Sequence, residues 1–244
     1  MPKKRINIRN YLVFILIAGA AAYSYFHSQE VYSWYMRTYY EKIRGISPDM
    51  QIREARKMLS AGEYEKLAVY LKPLIMAYPE NRELKTLEGL TLIRQGNPGE
   101  GADIILTATE DGRLTEPLLA ETTTALFEKK MFRDITNLFR KNTPGNNPGL
   151  LYMLGVSLFE TGSHAKAVTH LKRSYDRGRN GSEASHYLGR AYVLTGDTRA
   201  ALPYLERAHR LDRVDPDIGT SLADAYRKLG RIDDAAKIMR SIHR

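Results

Sequence analysis

Residues 148–181 read PGLLYMLGVSLFETGSHAKAVTHLKRSYDRGRNG, and the same order of small and large residues returns at an interval of 34 through residues 182–215 and 216–244. Leu154-Gly155, Leu188-Gly189 and Leu222-Ala223 share one phase, followed by Leu158, Tyr192 and Tyr226. Gly162, Gly196 and Gly230 come next, then Ala167, Ala201 and Ala235. A period of this size, held at four positions, marks a stacked-repeat architecture.

Within residues 148–181 the apolar residues Leu151, Leu154 and Leu158, and then Ala167, Val168, Leu171 and Tyr175, both have helical spacing. Gly162-Ser163 between them supplies a helix stop and a following start. The unit is therefore helix, tight turn, helix. Gly155 and Ala167 are expected on facing sides of the hairpin, where small side chains let the helices approach. Neither helix buries its outer face alone, so neighbouring units must stack and share a core.

These residues resemble the tetratricopeptide repeat, whose period and small-large-small-aromatic order they match. They depart from it where Leu151, Ser185 and Gly219 replace the first large aromatic, and where the late proline is displaced to Pro216. The resemblance implies an all-α fold, a right-handed α-solenoid of about six helix-turn-helix repeats, whose first helices line a concave groove.

Carrying the frame backward makes 48–147 three degenerate repeats and 148–244 three regular ones. Pro48 to Asn81 fits through Ala55, Met58, Gly62 and Leu71; Arg82 to Thr115 fits through Gly89, Leu92, Gly96 and Ile105. Glu116 to Asn147 is two residues short, and Thr123 and Ile135 stand where small residues belong. Looser packing inside that hairpin and a change of curvature are expected there.

Ahead of the array, residues 1–10 are basic, and Tyr11 to Phe26 runs YLVFILIAGAAAYSYF without a charge. We read 11–29 as a single N-terminal transmembrane helix acting as signal anchor, with a cleavable signal peptide ending near Ala22 as the competing reading. The basic start places the N-terminus in the cytoplasm and the repeats in the periplasm of a bacterial inner membrane. Residues 30–47 form an aromatic juxtamembrane helix. Its Val31, Trp34, Tyr35, Thr38 and Tyr39 lie on one side, expected to cap the first repeat. Tyr23, Tyr25, Tyr32, Trp34 and Tyr35 are the membrane-interface residues, with packing onto the first repeat as the alternative.

The chain has 244 residues, no cysteine and a formal charge of +9. Seven basic residues against Glu30 and Glu41 concentrate more than half of that charge in residues 1–47, leaving an array with interspersed acids. Nucleic acid is therefore not an expected partner. No HExxH pair, P-loop, dinucleotide fingerprint or nucleophile elbow occurs. No catalytic residue, metal site or cofactor is assigned, and the chain is not expected to be an enzyme. Asn180-Gly181-Ser182 matches a glycosylation acceptor and is read as turn chemistry between repeats.

In the groove that the resemblance implies, the inward positions of the first helices are Tyr152, Val156 and Phe159, then His186, Arg190 and Val193, then Thr220, Asp224 and Arg227, expected to bind a partner. Ile52, Arg56, Leu59, Thr86, Leu90, Ile93, Ala120, Thr124 and Phe127 are their counterparts in the degenerate units. Such a groove suits a peptide or helix segment of a membrane or envelope complex. Lys and Asn are missing from these positions, which argues against a clamp for paired carboxylates. Ile238, Met239 and Ile242 are expected to leave an apolar C-terminal end, covered by a partner or a second copy, or kept soluble by Arg240, His243 and Arg244. The function expected is that of a membrane-anchored scaffold supporting an envelope complex. The alternatives are a permanent accessory subunit of a membrane machine and an import receptor of a mitochondrial outer membrane.

Overall fold

Side-chain oxygens and prolines set where the helices begin. Ser47 accepts from the amide of Met50, Asn81 from Leu84, Asn147 from Gly149 and Leu150, and Asp215 from Asp217 and Ile218. Pro48, Pro148 and Pro216 fill first-turn positions, where a missing N–H is harmless.

The computed structural model describes Tyr25 and residues 28–110 and 112–242, and these contain thirteen α-helices, one short π-helical turn and no strand. A leading helix α1 (Ser28–Thr38) runs into the π turn (Tyr39–Ile43). Six hairpins follow: α2 (Pro48–Ser60) with α3 (Tyr64–Ala77), α4 (Arg82–Gln95) with α5 (Pro98–Ala108), and α6 (Glu116–Glu128) with α7 (Phe132–Leu138). The others are α8 (Pro148–Glu160) with α9 (His164–Asp176), α10 (Ser182–Leu194) with α11 (Thr198–Leu211), and α12 (Pro216–Lys228) with α13 (Ile232–Ile242).

Five of the hairpin turns place a glycine, Gly62, Gly96, Gly162, Gly196 or Gly230, at positive φ. The third hairpin keeps the same turn with Lys130 at φ 56, the one non-glycine residue at positive φ among those described. Its missing length lies further on: α7 is seven residues long and ends at Leu138. The buried Asn142 amide bonds the Leu138 carbonyl at 2.9 Å and accepts from the Leu114 amide at 2.8 Å.

The hairpins that close most tightly carry glycine eight positions into the first helix. A Cβ at Gly89 would lie 2.5 Å from the carbonyl oxygen of Gly101, and one at Gly101 would lie 2.4 Å from that of Gly89. At Gly155 a Cβ would strike Leu171 at 2.7 Å, and at Gly189 it would strike Leu205 at 2.6 Å. These three hairpins are the most closely packed, and the Ala223 hairpin is intermediate. With Ala55 and Thr123 the pairing is loose, so that α3 has more contact with α1 and α4, and α7 with α8, than with their own partners. The looseness expected of the third hairpin is present.

Buried side chains form three clusters along the array, Ile52 to Leu150, Tyr152 to Ala191 and Ala201 to Ala235. Phe127, Phe139 and Met153 join the first two, and Tyr192 joins the last two. Ser174 Oγ donates to the Pro148 carbonyl at 2.7 Å, tying the end of α9 to the start of α8. Arg207 holds the Asn180 carbonyl at 3.1 Å, fixing the turn between the fourth and fifth hairpins.

The leading helix docks, but through Ser33 and Met36 instead of Val31, Trp34 and Tyr35; of the side suggested by the sequence only Thr38 and Tyr39 are half-buried. Ser33 Oγ donates to the Ala77 carbonyl at 2.8 Å, while Met36 and Tyr40 pack onto the core. Val31, Trp34 and Tyr35 point away. The reason is the C-terminus of α3, whose free carbonyl needs a donor that an aromatic face cannot supply. Arg37 adds a contact to the same oxygen at 3.4 Å and lies over the Tyr78 ring. The Tyr78 hydroxyl donates to Glu41 at 3.0 Å; burial and that bond push its pKa up to about 12.

At the other end Ile238, Met239 and Ile242 are half-buried. Ile242 sits over Gly219, where a Cβ would be 2.5 Å from its Cδ1, so the chain partly covers its own last hairpin. Among the described residues no helix is long and apolar enough to cross a membrane. The segment 1–24 and nearly all of the expected span 11–29 lie outside the described residues.

Two stability tests follow from the hairpin geometry. Gly89→Ala should lower stability by about 1–3 kcal/mol, because its Cβ meets backbone. Lys130→Gly should raise it by about 1 kcal/mol by relieving a left-handed conformation; urea midpoints read both. The third test concerns pH. Burial, aided by Arg173 at His170, by Arg190 at His186 and by Arg213 at His209, holds these imidazoles below the usual histidine value, with Asp215 and Asp217 opposing at His186. The unfolded chain then binds more protons, so stability is full above a pH of about 6.5 and falls as pH drops through that value. The urea midpoint should be lower at about pH 5.5 than at about pH 7.5, and His186→Gln should narrow the gap.

Candidate functional site

The first helices α2, α4, α6, α8, α10 and α12 each touch the next, whereas the second helices make much less contact among themselves. Elements on the inside of a curved stack are the ones drawn together, so the first helices form the inner face. Three zones follow one another along it.

At the N-terminal end the face is charged and internally matched. Arg56 pairs with Glu83 at 2.6 Å and Arg94 with Glu128 at 2.5 Å, each bridging successive hairpins. Burial raises the Glu121 carboxyl above the usual range, and the nearby Arg56 and Arg94 pull it partly back. In the middle the rings of Phe132, Phe127, Tyr152, Tyr187, Phe159 and His164 form a chain with successive centroids 5.9, 6.2, 6.4, 5.4 and 5.3 Å apart. Arg179 covers Tyr152 at 4.1 Å from its centroid. Burial first, and then the charge of Glu183, holds the Tyr152 hydroxyl far above its ordinary pKa.

The C-terminal zone opens into a cavity of about 360 Å³ between α10 and α12. Val193, Leu194 and Leu205 give it apolar walls; Arg190, Ser221, Asp224, Arg227 and Lys228 complete the lining. Arg227 pairs with Asp224 at 2.6 Å. Arg190 lies over the Phe159 ring at 4.8 Å, and among the described residues neither it nor Lys228 has a carboxylate partner. The zone thus presents two unmatched cations beside an apolar recess. His186 Nε2 meets Ser221 Oγ at 2.8 Å, locking α10 to α12 at the cavity edge.

Of the nine groove residues named from the sequence, Arg190, Val193, Asp224 and Arg227 come together in this cavity, and Thr220 is exposed nearby on α12. Tyr152, Val156, Phe159 and His186 are buried, with exposures of 1%, 1%, 5% and 9%, so they form the floor and the joints between hairpins. In the N-terminal hairpins Ile52, Leu59, Thr86, Leu90 and Ile93 are likewise buried, while Arg56 is spent on Glu83. Ala120 and Phe127 are half-buried and Thr124 is exposed.

The frame missed Leu194, Ser221, Lys228 and Leu205. Leu194 and Lys228 stand one residue beyond the positions it selected, at the edge of the same helical stripe. Leu205 belongs to a second helix and carries no signal in a first-helix frame. Of the residues named for a membrane boundary, Tyr25, Tyr32, Trp34 and Tyr35 are exposed, and Tyr23 lies outside the described residues.

The tetratricopeptide repeat family profile matches residues 192–243. No curated protein matches the chain in sequence. Among solved structures, YrrB, described as a tetratricopeptide repeat protein with an unusual peptide-binding site, is 15% identical; the match covers 70% of this chain and 90% of YrrB, with a TM-score of 0.57. PilF of Pseudomonas aeruginosa is 15% identical over 78% of this chain and 87% of its own, with a TM-score of 0.50. A MamA structure is 19% identical over 72% and 97%, with a TM-score of 0.51. At these identities the likeness concerns fold alone. Residues 192–243 therefore match the tetratricopeptide repeat by sequence, and the array as a whole has the tetratricopeptide solenoid fold.

Proposed function

We propose that this protein is a non-enzymatic scaffold, tethered to a bacterial inner membrane by residues 11–29, that holds a protein partner in its inner groove and supports an envelope complex. The observation that carries the binding part is the cavity between α10 and α12, where Arg190 and Lys228 border apolar walls without a matching acid. A protein segment with an apolar side chain flanked by carboxylates fits this chemistry, since anchor and charge then act together. The peptide-binding site attributed to YrrB is consistent with such a use of the fold. The tether is supported by the uncharged run Tyr11 to Phe26 behind a basic start, and the periplasmic side by the position of those basic residues.

Photocrosslinking groups at Thr220 and Arg227, both exposed, sample the groove directly, unlike ones at the buried Tyr152 or His186. In native membranes they should capture a discrete partner. Arg190→Glu with Lys228→Glu should weaken its retention roughly tenfold, while Lys166→Glu on the outer helix α9 leaves it unchanged. Equal retention by both variants would remove the groove from the mechanism.

A further inference from the structure

The leading helix α1 has two faces, and the fold uses one. Ser33 and Met36 turn inward, continued by Tyr40, and the exposed Arg37 reaches the same Ala77 carbonyl that Ser33 holds. The opposite stripe, Val31, Trp34 and Tyr35 at helical spacing, stays in the open with exposures of 39%, 67% and 56%, and Tyr32 beside it is 42% exposed. The residual stripe is aromatic and carries no charge at those positions.

Next to the stripe, α1 and the end of α3 enclose a cleft of about 840 Å³ whose walls include Tyr32, Trp34, Ile75, Met76 and Pro79. Met76 is itself 48% exposed. Tyrosine and tryptophan rings with one apolar and one polar end favour the headgroup layer of a bilayer over either bulk phase. The uncharged run that ends at Phe26 stands two residues ahead of α1 in the chain, which brings this helix to the membrane surface wherever that run is inserted.

We infer that the outward face of α1 rests in the headgroup layer, so that the solenoid is held against the bilayer by its N-terminal edge in a fixed orientation instead of swinging on a free tether. This rests on the membrane tether proposed above. Ser33 and Arg37 transmit the orientation, because the same helix is bonded to α3 on its other side.

Trp34 is the single tryptophan of the chain and reports its own surroundings. The full chain is reconstituted into vesicles of phosphatidylcholine with about one quarter phosphatidylglycerol, containing lipids brominated near the headgroup or near the chain terminus. Co-flotation with the vesicles tests the tether separately. Trp34 emission should fall by about half with shallow bromine, change little with deep bromine, and be shielded from aqueous acrylamide. A chain that floats with the vesicles but whose Trp34 is quenched by acrylamide and not by bromine overturns the seating while leaving the tether. Shielding from both quenchers would assign the face to a protein and equally overturn the seating. Failure to float would remove the tether and the seating together.

Discussion

Backbone contact between paired helices at a small residue sets the rest of this structure. Where Gly89, Gly155 and Gly189 bring the first helix against the second, the hairpin is a closed unit that stacks as one block. In the first and third hairpins, which carry Ala55 and Thr123 there, the second helix makes more contact with its other neighbours, while the Ala223 hairpin stays paired. The opening of the first hairpin leaves α3 in extensive contact with α1, so the docking of the leading helix and the looseness of the hairpin beneath it belong to the same arrangement. In the third hairpin the short α7 leans on α8, and Asn142 closes the loop behind it.

Stacking also grades the inner face. Residues at equivalent positions are mostly buried in the first two hairpins, where Arg56 is half-buried, and open in the last described one. Cross-hairpin bonds such as Arg56 to Glu83 and His186 to Ser221 use up polar groups that would otherwise meet a ligand. Between α10 and α12, cations without a carboxylate partner lie beside accessible apolar surface. The far end closes itself in part by laying Ile242 over Gly219.

Much of the architecture was legible in the chain. The interval of 34, the turn glycines and the proline starts identify helical hairpins, and Thr123 with Ile135 pointed to one of the two loose ones, while the first hairpin, read as fitting the frame, gave no such sign. The left-handed turn at Lys130 was not legible, since a lysine carries no local signal for positive φ. The groove was legible as a stripe but not as a surface: Tyr152 and Thr220 occupy the same frame position, yet one is enclosed and the other exposed. Their difference depends on what the adjacent hairpin places over them.

By itself the sequence determined the repeat, its phase and the class of fold, because small residues, caps and helical periodicity act within one hairpin. The tertiary structure alone decided which face of α1 docks, which aromatic rings became floor, and where unmatched cations remain. Those outcomes depend on an unpaired carbonyl at the end of α3 and on coverage by neighbouring hairpins. Such groups are far apart in the chain and meet only when the helices stack.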